Sequence, residues 1–207
     1  MPPRERLLRF TPAERFAHRS VASLGLILTL SGLILYLPGL SLLVARRPLV
    51  EGVHVVAGLL LPLPVFAALL SPAFRADLGA LNRFMPSDWA WLRNHQRRSE
   101  TLPVGKFNAG QKLAAAAFAA AGVVLFGTGI MLLVPTQLGL SDGLRQGATV
   151  VHDATTVALV ALLLGHAALA YRHPEARRAL RTGSMDREYA EQNHSDWARA
   201  SQDEASA

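Results

Sequence analysis

Four long apolar stretches constrain this 207-residue chain more than any other feature in it. A helix needs about 20 apolar residues to cross the hydrocarbon core of a bilayer. The stretches fall at 16–38 (FAHRSVASLGLILTLSGLILYLP), 51–71 (EGVHVVAGLLLPLPVFAALLS), 113–135 (LAAAAFAAAGVVLFGTGIMLLVP) and 147–171 (GATVVHDATTVALVALLLGHAALAY). No Asp, Glu, Lys or Arg lies between Arg19 and Arg46, between Glu51 and Arg75, or between Lys112 and Asp142. Asp153 is the one acid well inside a span. The pattern predicts an all-α integral membrane four-helix bundle in one domain over 1–175, with a polar tail over 176–207. Pro62 and Pro64 predict a kink in the second helix, because neither has an N–H for the helical ladder.

Basic residues orient the spans. Arg4, Arg6, Arg9, Arg15 and Arg19 precede or open the first. Arg75, Arg83, Arg93, Arg97, Arg98, Lys106 and Lys112 lie between the second and third. Arg172, Arg177, Arg178, Arg181, Arg187 and Arg199 follow the fourth. The other two loops hold only Arg46, Arg47 and Arg145. Both termini and the long middle loop are therefore expected in the cytoplasm, in a multi-pass protein of a bacterial inner membrane.

The formal net charge of +6 would suggest nucleic acid in a soluble protein. Here the basic residues flank apolar segments, which favours anionic membrane lipid and no nucleic acid. Cysteine is absent, so disulfides, thiolate zinc, iron–sulfur ligation and covalent haem attachment are excluded. The opening residues lack the shape of a cleavable signal peptide. The middle loop, 72–112, is too long for a bare connection, and DWAWLRN (88–94) reads as an interfacial segment. The end of the tail, SQDEASA, is expected to be disordered.

A weak internal repeat is visible. LSGLILYLP (30–38) matches GTGIMLLVP (127–135), and Gly32-to-His54 spans 22 residues against 23 for Gly129-to-His152. Such a repeat suggests pseudo-symmetric halves around a shared site.

Seven histidines are present, and His18, His54, His152 and His166 lie within the spans. Ionisable groups at membrane depth are costly and mark function. Neutral imidazole is also an axial haem ligand supplied from facing helices. His152 and His166 are 14 residues apart, which puts them about 40° apart around one helix and roughly 21 Å apart along it. One haem cannot use both, and two stacked haems could use one each. Depth matching pairs His54 with His152 on the outer side and His18 with His166 on the inner side. A lone membrane histidine more often bonds a neighbouring helix, but four that pair by depth favour ligation. His95, His173 and His194 read as surface residues. Asp153, beside His152, is a candidate acceptor that orients the ligand or tunes the outer haem; the other reading is a helix-start acid favoured by the dipole.

The sequence also resembles a known family, the cytochrome b (gamma) subunit of membrane-bound formate dehydrogenase. The resemblance rests on RFTPAERFAHR (9–19), GVHVVAG (52–58), DWAWLRN (88–94), LPVGKFNAGQK (102–112) and the two-histidine fourth helix, and it covers residues 9–197. It implies two haem b groups held as paired above. It also implies a quinone site (menaquinone or ubiquinone) near the inner haem, at Asn108, Gly110 and Gln111. The other reading of N-A-G-Q is a helix N-terminal turn. The resemblance implies a quinone-reducing subunit that receives electrons from a periplasmic iron–sulfur (beta) subunit, and through it from a molybdenum or tungsten catalytic (alpha) subunit, in a complex that can form a higher oligomer. The histidine ladder alone is shared with cytochromes b of nickel–iron hydrogenases and thiosulfate reductases. A haem-free membrane anchor is a further alternative.

Overall fold

A computed structural model of the chain describes residues 5–44, 46–94 and 102–206. In chain order the elements are β1 (Arg6–Leu8), α1 (Pro12–Tyr36), α2 (Pro38–Val44), α3 (Arg47–Leu60), α4 (Leu63–Ala68), α5 (Pro72–Asn82) and α6 (Pro86–Arg93). After these come α7 (Ala109–Leu133), α8 (Asp142–Arg172), α9 (Pro174–Thr182), β2 (Ser184–Asp186), α10 (Arg187–Asn193) and α11 (Ser195–Ser206).

Four helical segments are long and apolar enough to cross a membrane: Pro12–Tyr36, Arg47–Ala68, Ala109–Leu133 and Asp142–Arg172. The chain is therefore an all-α membrane helical bundle. The second segment is broken between α3 and α4, where Pro62 and Pro64 cannot donate to the carbonyls one turn back. The Leu61 N–H takes the Gly58 carbonyl in a tighter turn instead, at 3.3 Å. Large side chains such as Leu26, Phe66, Val123 and Leu164 face outward, whereas Ala17, Ala57, Ala68, Ala109 and Ala148 are buried. Small residues at helix contacts with large apolar residues outside are the expected pattern for helices packed in lipid.

Helix starts follow local chemistry. Pro12 opens α1, and the Thr11 N–H donates to Glu14 Oε2 at 2.5 Å, half of a capping box. The Met85 N–H donates to Asp88 Oδ2 at 2.7 Å at the start of α6. Asp186 accepts from the Tyr189 N–H at 3.1 Å at the start of α10. Gly183 ends α9 with φ of +93°, and a left-handed C-cap of this kind favours glycine.

The chain divides into two compact units. One comprises Phe16–Ala68 and Phe118–Leu164, and holds most of the length of the four long segments. The other comprises the chain up to Arg15, Leu69–Ala117 and the chain from Gly165 onward.

In the second unit β1 pairs antiparallel with β2, Leu7 opposite Met185, a two-stranded sheet that the helical patterning gives no sign of. Its core is Ala179, Met185, Ala190 and Ala198, with Leu7, Phe10, Tyr189 and Trp197 packed against it. Residues 176–206 fold together with the N-terminal strand, because Met185, Tyr189 and Trp197 supply an apolar face that the mixed charge of the segment obscures. Residues 201–206, expected to be disordered, continue α11. His194, expected at the surface, is 3% exposed, since its Nδ1 donates to the Gly105 carbonyl at 3.0 Å and Trp197 stands edge-on to its ring. His173 is half-buried and bonds the Tyr189 hydroxyl at 3.2 Å. His95 lies outside the described residues.

Candidate functional site

In the first unit, His54 stands on α3 and His152 on α8, their ring centres 6.3 Å apart and their planes at 65°. Each ring is held in the same way. His54 Nδ1 lies 2.9 Å from Ser31 Oγ, and that hydroxyl donates to the Ile27 carbonyl at 2.7 Å. His152 Nδ1 lies 2.9 Å from Thr128 Oγ1, and that hydroxyl donates to the Val124 carbonyl at 2.7 Å. A hydroxyl has one proton to give. With that proton on the helix carbonyl, the oxygen accepts from Nδ1–H, so the network assigns both imidazoles as Nδ1–H tautomers. In each ring the contact with the hydroxyl falls on Nδ1, and the Nδ1–H tautomer carries its lone pair on Nε2.

Gly32 and Gly129 follow the two hydroxyl residues. A Cβ on Gly32 would lie 3.4 Å from His54 Cε1, and one on Gly129 would lie 3.7 Å from His152 Cε1. The weak repeat of the sequence is thus a repeated cradle: hydroxyl, then glycine, against one imidazole. Sequence reasoning passed over Ser31 and Thr128. The signal was present in the alignment of LSG with GTG, where the residue before each glycine carries the hydroxyl.

These residues fit a haem iron. Two imidazoles on opposite sides of one metal, each bonded through a nitrogen at about 2.0–2.1 Å, place their ring centres roughly 6 Å apart. The separation of His54 and His152 meets that distance. Among the described residues no group of three His, Asp or Glu side chains converges on one point. A haem iron would need only two imidazoles from the protein, and His54 and His152 are the residues that would hold it.

Asp153 follows His152 on α8 and is half-buried, but the acceptor on the ring's Nδ1 is Thr128. His18 is exposed on α1 and His166 is exposed on α8, each with interactions of its own. They belong to different units. A groove of about 550 Å³ in the first unit is lined by Phe16, Arg19, Ser20 and Ser23 of α1 and by Leu63 and Pro64 of α4. His18 is two residues from both Phe16 and Ser20, about 200° around a helix, so it points away from that groove.

In the second unit, Asn108 and Gln111 form a reciprocal cap at the start of α7. The Asn108 N–H donates to Gln111 Oε1 at 3.0 Å and the Gln111 N–H donates to Asn108 Oδ1 at 2.9 Å. The cap uses the carbonyl end of each amide, so the NH₂ ends are not part of it. Gly110 lies against Trp91, and a Cβ there would meet Trp91 Cη2 at 3.3 Å. Lys112 Nζ reaches Asp88 Oδ2 at 2.7 Å, an ion pair nearly closed from solvent. DWAWLRN and NAGQK, the two blocks most distinctive in sequence, thus meet in space.

The loop before this cap is fastened by the C-terminal segment. The Ser195 hydroxyl donates to the Leu102 carbonyl at 2.9 Å, the Asp196 N–H donates to the Val104 carbonyl at 3.0 Å, and His194 binds Gly105. Arg9 donates to the Lys106 carbonyl and lies over the Trp197 ring at 5.0 Å. Burial pulls the Arg9 guanidinium down to about 10. Burial, then the Arg9 charge, pulls His194 down to about 3. Lys106 Nζ bridges Glu14 Oε1 at 2.8 Å and Asp77 Oδ1 at 2.6 Å. Burial, then a hydrogen bond with Glu14, pushes the Asp77 carboxyl up.

A family model described as prokaryotic cytochrome b561 matches residues 9–185 of the chain. No curated protein matches it.

Proposed function

The chain belongs to the prokaryotic cytochrome b561 family, haem-b-binding electron-transfer subunits of the membrane, and from that premise we propose that it is the dihaem cytochrome b subunit of a formate dehydrogenase complex. His54 and His152 would hold one haem, His18 and His166 the other. Two b haems, when bound, supply one-electron carriers between a donor on one side of the membrane and quinone on the other. The excess of basic residues at the termini and in the middle loop supports putting these on the cytoplasmic side of a bacterial inner membrane, and the His54–His152 site would then lie toward the periplasm.

The protein's own part is to hold and to exclude. Ser31 and Thr128 fix the two imidazoles. The long helices would present a mainly apolar surface to the lipid. Asn108 and Gln111 would offer side-chain amide N–H groups, and Gly110 its backbone N–H, to the oxygens of a quinone. Since the chain has no cysteine, iron–sulfur clusters would belong to a periplasmic partner, which would connect in turn to a molybdenum or tungsten subunit.

The observation that carries this reading is the His54–His152 pair, 6.3 Å apart with both Nδ1 atoms engaged. The test is purification of the chain with its partners from the native membrane. Formate is expected to reduce a b-type absorption band, and added quinone to reoxidise it. A hydrogenase or thiosulfate reductase co-purifying in place of the formate-oxidising subunit would reassign the donor. A fully assembled complex with no b-type band would end the haem reading altogether.

A further inference from the structure

Serine and threonine hydroxyls in apolar helices usually satisfy themselves on the carbonyl four residues back. Thr29 does so on Gly25 at 2.8 Å, and Thr156 does so on His152 at 2.8 Å. Ser31 and Thr128 do the same, yet each is also within 2.9 Å of an imidazole Nδ1 on another helix. Ser31 is 5% exposed, so no water competes for the contact. The two contacts arise at matching places in the internal repeat, with a glycine next to each hydroxyl and the ring close to that glycine. Two unrelated back-bonds would have no reason to coincide in this way.

We propose that Ser31 and Thr128 are paired positioning residues for the metal centre between His54 and His152. This rests on the ligand reading of those two histidines. Each hydroxyl would keep its imidazole in the Nδ1–H form with Nε2 left for the iron, and would make the ring a stronger electron donor by accepting a hydrogen bond from Nδ1–H. A stronger donor favours ferric over ferrous iron and so lowers the potential of that haem. The carbonyls of Ile27 and Val124 complete the device, because they accept the hydroxyl's one hydrogen bond and leave its oxygen only as an acceptor.

The test uses the purified complex and four variants: Ser31→Ala, Thr128→Val, Thr128→Ser and, as control, Thr29→Val. Three readouts are needed: haem per chain, midpoint potential, and the low-temperature electron paramagnetic resonance of the ferric haems. Ser31→Ala and Thr128→Val should each raise the potential of one haem and shift its resonance. A tenfold loss of ferric preference reads as about 59 mV for a one-electron couple. Haem affinity should fall roughly 10–100-fold in the same variants. Thr128→Ser and Thr29→Val should behave as wild type, the first because it keeps the hydroxyl and the second because its hydroxyl meets no ring. Unchanged potentials and spectra in fully loaded Ser31→Ala and Thr128→Val would overturn the proposal alone. So would equal haem loss in Thr128→Ser and Thr128→Val, which would mean packing rather than the hydroxyl. Full haem content in His54→Ala would instead remove the ligand reading, and this proposal with it.

Discussion

The imidazoles of His54 and His152 meet with 6.3 Å between their centres, each backed by a hydroxyl at 2.9 Å. Under the proposed reading the two rings hold one metal jointly, and neither holds it without the other. His54→Ala and His152→Ala are each expected to remove one of two haems per chain, and the double variant to remove the same one and no more. His18→Ala and His166→Ala should form a second such pair. Haem quantification in the assembled complex checks this, and additive loss in the first double variant would refute the shared site.

The reciprocal cap at Asn108 and Gln111 separates two roles that share the same atoms. Asn108→Asp and Gln111→Glu keep the carbonyl-type oxygens that cap α7 and delete the NH₂ donors. Both are expected to leave haem content and thermal stability near wild type, since Asp and Glu are good residues at those positions. Quinone turnover should weaken, with KM rising several-fold and up to about tenfold per lost bond. Steady-state assays across quinone concentrations decide it; a wild-type KM in both variants would leave the residues as a cap and nothing more.

His194 is buried and held neutral, its folded value near 3 against 6.5 when free. Between those values the unfolded segment takes up a proton that the folded one refuses, so stability falls as the medium becomes more acidic. The slope approaches about 1.4 kcal/mol per pH unit below pH 6.5. Hydrogen exchange of the amides of α10 and α11 should accelerate steeply from pH 6.5 to 4.5 after correction for intrinsic rates. His194→Gln, which can still donate to the Gly105 carbonyl, should flatten that dependence.

Gly183 carries φ of +93°, and a Cβ there would come within 2.8 Å of the Phe10 carbonyl. Its own carbonyl accepts from the Arg9 and Phe10 N–H groups at 2.8 and 2.9 Å. Gly183→Ala is therefore expected to cost about 1–3 kcal/mol and to release the segment from β2 onward to proteolysis, with haem content kept. Limited proteolysis of membranes reads this directly.

The four apolar segments were plain in the sequence, because burial in lipid leaves a hydropathy signal that needs no partner. The break at Pro62 and Pro64 was equally readable, since proline removes a donor wherever it sits. The histidines stood out as costly groups in apolar surroundings. The partners of two of them did not: Ser31 and Thr128 are ordinary members of apolar helices until a ring on another helix meets them. His194 was misplaced for a related reason. Its segment is polar in composition, and its ring is met by Trp197 and by the Gly105 carbonyl, 89 residues away in the chain, a long-range contact with no local trace.

The clasp of residues 194–196 on the loop at 102–106 also bears on how the protein is made. The loop leaves the ribosome well before its clasp, with the third and fourth long helices still to be synthesised. A chain stalled or clipped before β2 would insert its helices yet leave the approach to Asn108 and Gln111 unfastened. That corner near Asn108 and Gln111 therefore cannot be fastened before residues 194–196 have been made.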